Sequence, residues 1–265
     1  MIHIPEMMRV ITRSVLLLSV ILSVGCQRNP KEVKQMVKPK YTLDSAMLTV
    51  QYVTGQFDPK LKSNFTEIDT THADRPGLYL LSETYEAFKK MWSAAKSENV
   101  DLVIRSATRN FIAQKNIWER KWQGSTRLSD GTYASDIESL DERSLKILLY
   151  SSMPGTSRHH WGTDIDMNSF NNAYFESGSG LKVYEWLTTH AKDYGFFQPY
   201  TSKESGRTGY EEEKWHWSYS PISDELTEYC KENLSNKMIE GFEGSETAEE
   251  IDVLSNYVLG IDSLK

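Results

Sequence analysis

Residues 157–166 read Ser-Arg-His-His-Trp-Gly-Thr-Asp-Ile-Asp, and residues 213–217 read Glu-Lys-Trp-His-Trp. Both stretches are rich in imidazole and carboxylate side chains, which are the ligands that a catalytic zinc ion takes from a protein. The first stretch has two adjacent histidines and two aspartates, so it offers more candidate ligands than one site uses. We infer that the two stretches meet in a functional site and that their elements decide the fold around it.

The pattern of the first stretch leaves the choice of ligands open. The residues after Gly162 alternate between polar and apolar as a strand does, so Asp164 and Asp166 would share one face. His159 and His160 are adjacent and would point to opposite sides of a strand. A histidine and an aspartate on either side of Gly162 can meet only across a tight turn, which glycine favours. Spacing alone selects neither the histidine nor the aspartate.

The second stretch predicts a strand over residues 214–219, with Trp215 and Trp217 packed behind the face that carries His216. Glu213 lies three residues before His216, which on a regular strand is the opposite face. Glu213 must therefore lie at the strand edge or on the preceding loop to work beside His216, where it could transfer protons. Taken alone, its acidic neighbours indicate a solvated run of charge.

The whole pattern predicts an α+β fold, with a small, mainly antiparallel sheet that carries the site and is flanked by helices. A further short buried strand is predicted at residues 102–104. The predicted helices are one capped by Ser82, then 110–122, 136–150, one ended by Gly195, 224–234 and 248–264.

Composition narrows the class of protein. A chain of 265 residues with 39% hydrophobic content is long enough for one sizeable core. Its net charge of -7 does not attract a polyanion, so we expect no nucleic-acid partner. One of the two cysteines, Cys230, falls in a predicted helix, where we expect a buried free thiol; disulfides then do not hold the fold.

The N-terminus predicts export. Two arginines precede an apolar run that is too short for a permanent transmembrane helix, and Cys26 follows a small residue at its end. This ending resembles the bacterial lipobox, although Ser23 stands where that pattern usually has leucine. We expect a lipoprotein-type signal peptide, a flexible tether and a single domain with C-terminal helices, at residues 1–25, 26–41 and 42–265. Cys26 would anchor the exported protein in a membrane of the cell envelope.

Three segments resemble the D-alanyl-D-alanine carboxypeptidase family that includes VanY and VanX. Residues 157–166 are similar to its S-x-H-x-x-G-x-A-x-D signature, and residues 213–216 match its E-x-W-H. Residues 106–114 look like its upstream S-G-Y-R-S-x-x-x-Q segment. The likeness spans residues 102–219, and the pair of motifs is highly specific.

The resemblance implies one Zn²⁺ per chain, with the ligands His159, Asp166 and His216. It implies Glu213 as the catalytic base, and substrate contacts from Arg109, Gln114 and Ser157. The planar fork of an arginine suits a terminal carboxylate because it can meet both oxygens. The implied activity removes the terminal D-alanine from a peptidoglycan stem peptide ending in D-Ala-D-Ala. The alternatives are an L,D-carboxypeptidase or endopeptidase on the same peptides, and a non-catalytic module that binds the cell wall.

The sequence departs from the family pattern at two places. Asp164 stands where the family has a small residue, so it either holds a ligand histidine or contacts the substrate amine. Ala107 and Thr108 replace the usual Gly-Tyr, which predicts a different pocket wall near Arg109. A role for His160 in stabilising an oxyanion stays open.

Overall fold

The computed structural model describes residues 43–262, except the side chain of Ser205, and these residues lie in the compact unit Pro39–Lys265. The strands are β1 (Phe65–Glu67), β2 (Tyr79–Leu81), β3 (Ile104–Ser106), β4 (Asp164–Met167), β5 (Phe196–Phe197) and β6 (His216–Tyr219). The α-helices are α1 (Val50–Val53), α2 (Ser82–Ser97), α3 (Phe111–Trp122), α4 (Leu140–Ile147), α5 (Gly178–His190) and α6 (Ser220–Asn233). The predicted signal peptide, tether and Cys26 lie outside the described residues. Within 43–262, none of the helices combines the length and apolar character needed to cross a bilayer.

A four-stranded antiparallel sheet forms the centre of the fold, in the order β3-β4-β6-β5, and β1 and β2 pair as a separate antiparallel ribbon. Ile165 of β4 lies opposite Trp217 of β6, and both side chains are buried in the apolar cluster behind the sheet. Alternation then turns the polar residues of these two strands to the other face. The predicted α+β class, with a small antiparallel sheet among helices, is confirmed.

Two apolar clusters hold the helices. The larger packs α2, α5 and α6 against the sheet and includes Phe88 and Leu226. The second joins α3 and α4 to the C-terminal segment, where the ring of Trp118 meets that of Phe242 at 5.8 Å. Cys230 is a buried free thiol on α6, as predicted.

Helix starts follow the local capping groups. Asn110 caps α3 by accepting from the amide of Ala113 at 2.8 Å, so the helix predicted at 110–122 is confirmed. The prediction that Ser82 caps α2 is wrong, because Ser82 is the first helical residue and its hydroxyl donates to the carbonyl of Asn64. The helix predicted at 136–150 is shorter, since Ser139 caps it only at Leu140.

The predictions for two further segments are wrong in extent. The strand expected at 102–104 instead begins at Ile104 and ends at Ser106, as β3, because pairing with β4 begins only at Ile104. In place of one helix over 248–264, turns precede a short π-helical stretch, Leu254–Val258. Asp252 has a positive φ of 49°, which interrupts a right-handed helix between the two halves.

Candidate metal centre and active site

Strands β4 and β6 bring the two sequence motifs together. In their antiparallel register Asp166 lies opposite His216, and two positions away Asp164 lies opposite Ser218. Opposed residues of neighbouring strands have Cβ atoms about 4.5–5.5 Å apart. Because side chains alternate along a strand, all four polar groups emerge on the same face.

His159 reaches this face from a 3₁₀ turn, Arg158–Trp161, that leads into β4. Its Nδ1 lies 2.9 Å from the carbonyl oxygen of Ala107. A carbonyl only accepts hydrogen bonds, so Nδ1 carries the proton and Nε2 keeps its lone pair. That Nε2 is buried, has no hydrogen-bond partner and lies 3.1 Å from Asp166 Oδ2. An unpaired, buried acceptor beside a carboxylate is what a bound cation requires.

His159, Asp166 and His216 offer one ligand atom each, and these atoms lie within 4.8 Å of one another. His216 Nδ1 is 2.8 Å from Asp166 Oδ1, and the two imidazole rings meet edge to face at 4.8 Å. Two imidazoles and a carboxylate suit a metal that keeps a fourth position open for water or substrate. The structure thus gathers the three side chains that the family resemblance implies as ligands.

The charges in this cluster depend on one another. Burial alone would lower the pKa of His216, but the carboxylates of Asp164 and Asp166 raise it to about 9. Burial alone would raise the pKa of Asp166, but His159 and His216 hold it far below its usual range. A metal ion bound here would take the place of the Nδ1 proton of His216.

Glu213 lies on the loop before β6, as the alternation argument requires. Its amide donates to the carbonyl of Tyr200 at 2.9 Å, and its own carbonyl accepts from the amide of His216 at 3.1 Å. This turn places Glu213 Oε2 3.8 Å from His216 Nδ1. Burial raises the pKa of Glu213 to about 8, so the carboxyl can both take up and release a proton near neutral pH.

The cluster opens into a cavity of about 650 Å³. Arg109, Gln114 and Ser157 line it together with the candidate ligands and Glu213. Each of these three residues has an unpartnered buried polar atom: Arg109 Nε, Gln114 Oε1 and Ser157 Oγ. Unpaired donors and acceptors in a cavity are costly unless a ligand or water satisfies them, so this wall is suited to a polar substrate group.

The backbone of Arg109 is tied to the histidine turn. Its amide donates to the carbonyl of His159 at 3.0 Å, and its carbonyl accepts from His160 Nδ1 at 2.6 Å. His160 Nε2 in turn accepts from the amide of Gly155 at 3.0 Å. His160 is fully buried and does not line the cavity, so it supports the loop that carries Arg109 and does not contact a bound substrate.

Asp164 also lies outside the cavity lining, and it is fully buried. Its Oδ1 is 3.0 Å from His216 Nε2 and 3.1 Å from Arg158 Nε. Of the two roles left open for Asp164, contact with a substrate amine does not fit this position, whereas contact with His216, a candidate ligand, is what the structure shows.

Two features of the cavity were missed from the sequence. Lys121 lines it and donates to Ser151, and its place seven residues after Gln114, two helical turns along α3, was the available signal. Trp215 belongs to the apolar cluster behind the sheet together with Trp217, as predicted, but its part in the cavity wall was not foreseen. Because β6 begins only at His216, Trp215 lies on the turn and forms part of the cavity wall near Tyr150.

Solved structures with a similar fold include VanYB in complex with D-alanine-D-alanine, with a TM-score of 0.48 and 19% identity. That match covers 66% of this chain and 87% of the VanYB chain. A second is the LdcB LD-carboxypeptidase, with a TM-score of 0.49 and 21% identity over 67% of this chain and 80% of LdcB.

Two curated proteins are similar in sequence. YodJ of Bacillus subtilis (strain 168), provisionally named a carboxypeptidase, is 25% identical over 198 residues, or 72% of this chain and 61% of YodJ. The D-alanyl-D-alanine carboxypeptidase of Enterococcus faecalis (strain ATCC 700802 / V583) is 24% identical over 132 residues. That match covers 50% of this chain and 45% of the enterococcal protein, so this chain spans only part of each relative's length.

The family-level match is more extensive. A profile of the VanY family, described as D-alanyl-D-alanine carboxypeptidase, matches residues 77–222, which is more than half of the 265 residues. The matched region contains all three segments that resemble the family and every candidate site residue placed around the cavity. On this evidence the chain belongs to the VanY family of D-alanyl-D-alanine carboxypeptidases.

Proposed function

We propose that this protein is a zinc-dependent D-alanyl-D-alanine carboxypeptidase that removes the terminal D-alanine from peptidoglycan stem peptides. One observation carries the proposal: the three candidate ligands, Glu213 and Arg109 line the same cavity. Hydrolysis next to a terminal carboxylate needs a set of metal ligands, a group able to transfer protons and a cationic side chain to bind the carboxylate. Family membership and the enterococcal relative's name support the choice of substrate.

His159, Asp166 and His216 would hold the zinc ion, which when bound lowers the pKa of a coordinated water and polarises a carbonyl. Glu213 takes a proton from the attacking water and gives one to the departing amine of D-alanine. Its raised pKa suits both transfers, because neither protonation state is strongly disfavoured near neutral pH. Burial of the carboxyl also keeps bulk water from competing for that proton.

Arg109 would bind the terminal carboxylate and so fix which peptide bond reaches Glu213. The Gln114 amide nitrogen already donates to the carbonyl of Ser152 at 2.8 Å, which leaves its oxygen to accept from the substrate. Ser157 Oγ is a further unpartnered contact. A peptide without a free C-terminus would leave Arg109 unpaired, which disfavours internal cleavage.

The activity is tested with N-acetylated stem peptides of four and five residues, whose products are identified by mass. We expect release of D-alanine from the pentapeptide ending in D-Ala-D-Ala and little loss when its C-terminus is amidated. Cleavage of the tetrapeptide alone would instead support an L,D-carboxypeptidase, and cleavage of internal bonds an endopeptidase. Binding without hydrolysis of any peptide would support a non-catalytic wall-binding module.

Glu213→Gln should lower kcat by about 10²–10⁴-fold, because general acid–base transfer contributes roughly that factor. Zinc content should stay at the wild-type value, since Glu213 is not among the proposed ligands. Glu211→Gln is the matched control: that neighbour pairs with Lys203 at 2.7 Å and does not line the cavity. Equal activity of the two variants would contradict the role of Glu213.

We also propose export and lipid attachment at Cys26, supported by the basic and apolar residues before it. Mass analysis of the mature N-terminus, and partition into detergent after expression in bacteria, test this. We expect wild type to carry a lipid on Cys26 and to partition into detergent. The Cys26→Ala protein should carry no lipid and should stay in the aqueous phase. A mature N-terminus at any other residue would contradict it.

A further inference from the structure

We propose that Asp164 is a positioning residue that makes His216 bind the metal through Nδ1, and that Arg158 holds Asp164 in that position through a buried ion pair. This inference rests on the proposed metal site but not on the peptide that is cleaved. It concerns the position at which the sequence departs from the family's small residue.

The contact between Asp164 and His216 fixes the tautomer of the ring. Asp164 Oδ1 lies 3.0 Å from Nε2, and a carboxylate can only accept, so Nε2 carries a proton. Nδ1 also carries a proton while it faces Asp166, and a bound metal would take the place of that proton, which leaves Nε2 protonated and the lone pair on Nδ1. That nitrogen points to Asp166 Oδ1 at 2.8 Å and to the other candidate ligands. Such outer contacts typically change metal affinity by about 10- to 100-fold when removed.

Asp164 is itself held rigidly at both oxygens. Oδ1 is shared between His216 and Arg158 Nε, while Oδ2 accepts from Thr163 Oγ1 at 2.5 Å and from Ser218 Oγ at 2.9 Å. The carboxylate therefore has no freedom to rotate away from the histidine. Ser218 is the residue directly opposite on β6, so the strand register also sets this distance.

Arg158 is committed to the same network. Its side chain is 1% exposed and lies over the ring of Trp161 at 4.5 Å. Nη1 donates to Thr227 at 2.9 Å and Nη2 to Ser218 at 2.7 Å. Arg158 does not line the cavity, so its guanidinium is not placed to contact a bound substrate.

Stability does not explain this ion pair. Replacing a buried ion pair with apolar groups is often neutral or stabilising, because desolvation of two charges offsets their attraction. A buried aspartate and arginine at these positions therefore indicate a gain elsewhere in the molecule. The one contact that reaches the candidate metal centre is the hydrogen bond to His216.

Two double variants isolate that contact. Arg158→Met with Asp164→Ala removes both charges together and leaves His216 Nε2 without an acceptor. Arg158→Met with Asp164→Asn also removes both charges, but keeps an oxygen at the Oδ1 position. The amide nitrogen of the asparagine would face the hydroxyls of Thr163 and Ser218, which can rotate to accept it. The pair of variants thus differs only in the acceptor offered to His216.

Zinc dissociation constants are measured by competition with a chromophoric chelator, after thermal unfolding has shown that both metal-free variants are folded. We expect the Met/Ala variant to bind zinc about 10- to 100-fold more weakly than the Met/Asn variant, which stays within a few-fold of wild type. Imidazole ¹⁵N spectra of the zinc-loaded wild type should show a protonated Nε2 on His216.

Equal zinc affinity in the two variants, with tight binding in wild type, would overturn this inference and leave the proposed function intact. Metal bound at Nε2 of His216 would overturn it as well. A wild type that binds no zinc would instead reject the zinc-dependent function and this inference together.

Discussion

At the scale of single residues, two cations of the cavity wall, Arg109 and Lys121, form no ion pair within residues 43–262. Arg109 Nε is buried and has no hydrogen-bond partner, and the ammonium of Lys121 donates to the neutral hydroxyl of Ser151. Burial and the charge of Arg109 lower the pKa of Lys121, and the carboxylate of Glu213 opposes them. A substrate carboxylate would supply the charge that this wall lacks, which is why the two cations have separate, testable effects.

Arg109→Met should lower kcat/KM for the free-acid pentapeptide, because truncating one partner of a desolvated charge pair usually costs about 2–5 kcal/mol of binding free energy. This corresponds to a loss of roughly 30-fold or more. Arg120→Met, an exposed site on the following helix α3, is the control. If the same loss occurs with the amidated peptide, Arg109 does not bind the carboxylate.

Lys121 predicts a pH dependence of binding. Burial, with a smaller effect of the charge on Arg109, lowers its pKa to about 8, so the ammonium is charged at pH 7 and mostly neutral at pH 9. The affinity of Glu213→Gln for an N-acetylated stem peptide, measured by calorimetry, should therefore fall as pH rises through the pKa of Lys121, which is lower in this variant because the Glu213 charge that raises it is removed. Glu213→Gln is the parent for two further variants. The pH dependence should disappear when Lys121→Met is added and persist when Lys115→Met is added, because the Lys115 side chain lies outside the cavity. A flat profile in the parent would contradict the prediction.

At the scale of elements, the turn between the histidines and β4 depends on a glycine. Gly162 has φ of 77°, and a Cβ placed there would lie 2.6 Å from the ring of Phe65. Gly77 has nearly the same φ, 79°, but nothing lies within 4 Å of its Cβ position. A substitution at Gly77 therefore tests backbone strain alone, and one at Gly162 tests backbone strain together with crowding.

Gly77→Ala should cost about 1–2 kcal/mol of unfolding free energy, since only the left-handed backbone is penalised. Gly162→Ala should cost at least roughly 1 kcal/mol more, because the new methyl also overpacks the core. Urea unfolding of both variants measures the difference. Equal losses would show that the turn can absorb the methyl group.

What could be predicted from sequence at this scale depended on local signals. The α3 start was predictable because Asn110 is a capping residue in contact with its own helix. The break at Asp252 was not, because a positive φ at an aspartate is decided by packing and by the Asn236 side chain that bonds Leu254 N. The cavity contact of Trp215 was missed for a similar reason: alternation holds only within a strand, and the turn at Glu213 delays the start of β6.

At the scale of the whole molecule, the metal centre joins segments that are distant in the chain. Its candidate ligands come from a turn, from β4 and from β6. When no metal is bound, the buried carboxylate of Asp166 lies between the imidazoles of His159 and His216. The choice of His159 over His160 required the resemblance, because only the folded chain shows that Gly155 and Arg109 occupy both nitrogens of His160.

Removal of metal should therefore lower the melting temperature of the full chain. At a free zinc concentration of 100 times Kd, binding adds about 2.7 kcal/mol to the unfolding free energy. Calorimetry with chelator and with restored zinc measures this. His216→Ala should show no response to zinc, whereas a zinc-dependent shift in that variant would place the metal elsewhere.

Three hydrogen bonds join residues 107–109 to the histidine turn: from the Arg109 amide, from His159 Nδ1 and from His160 Nδ1. The segment proposed to bind the carboxylate and the segment proposed to bind the metal are therefore joined through backbone groups. Ordering one of them orders the other, so metal and peptide would each strengthen the binding of the other by the same factor. Where free zinc varies, such reciprocity would allow abundant substrate to retain the metal.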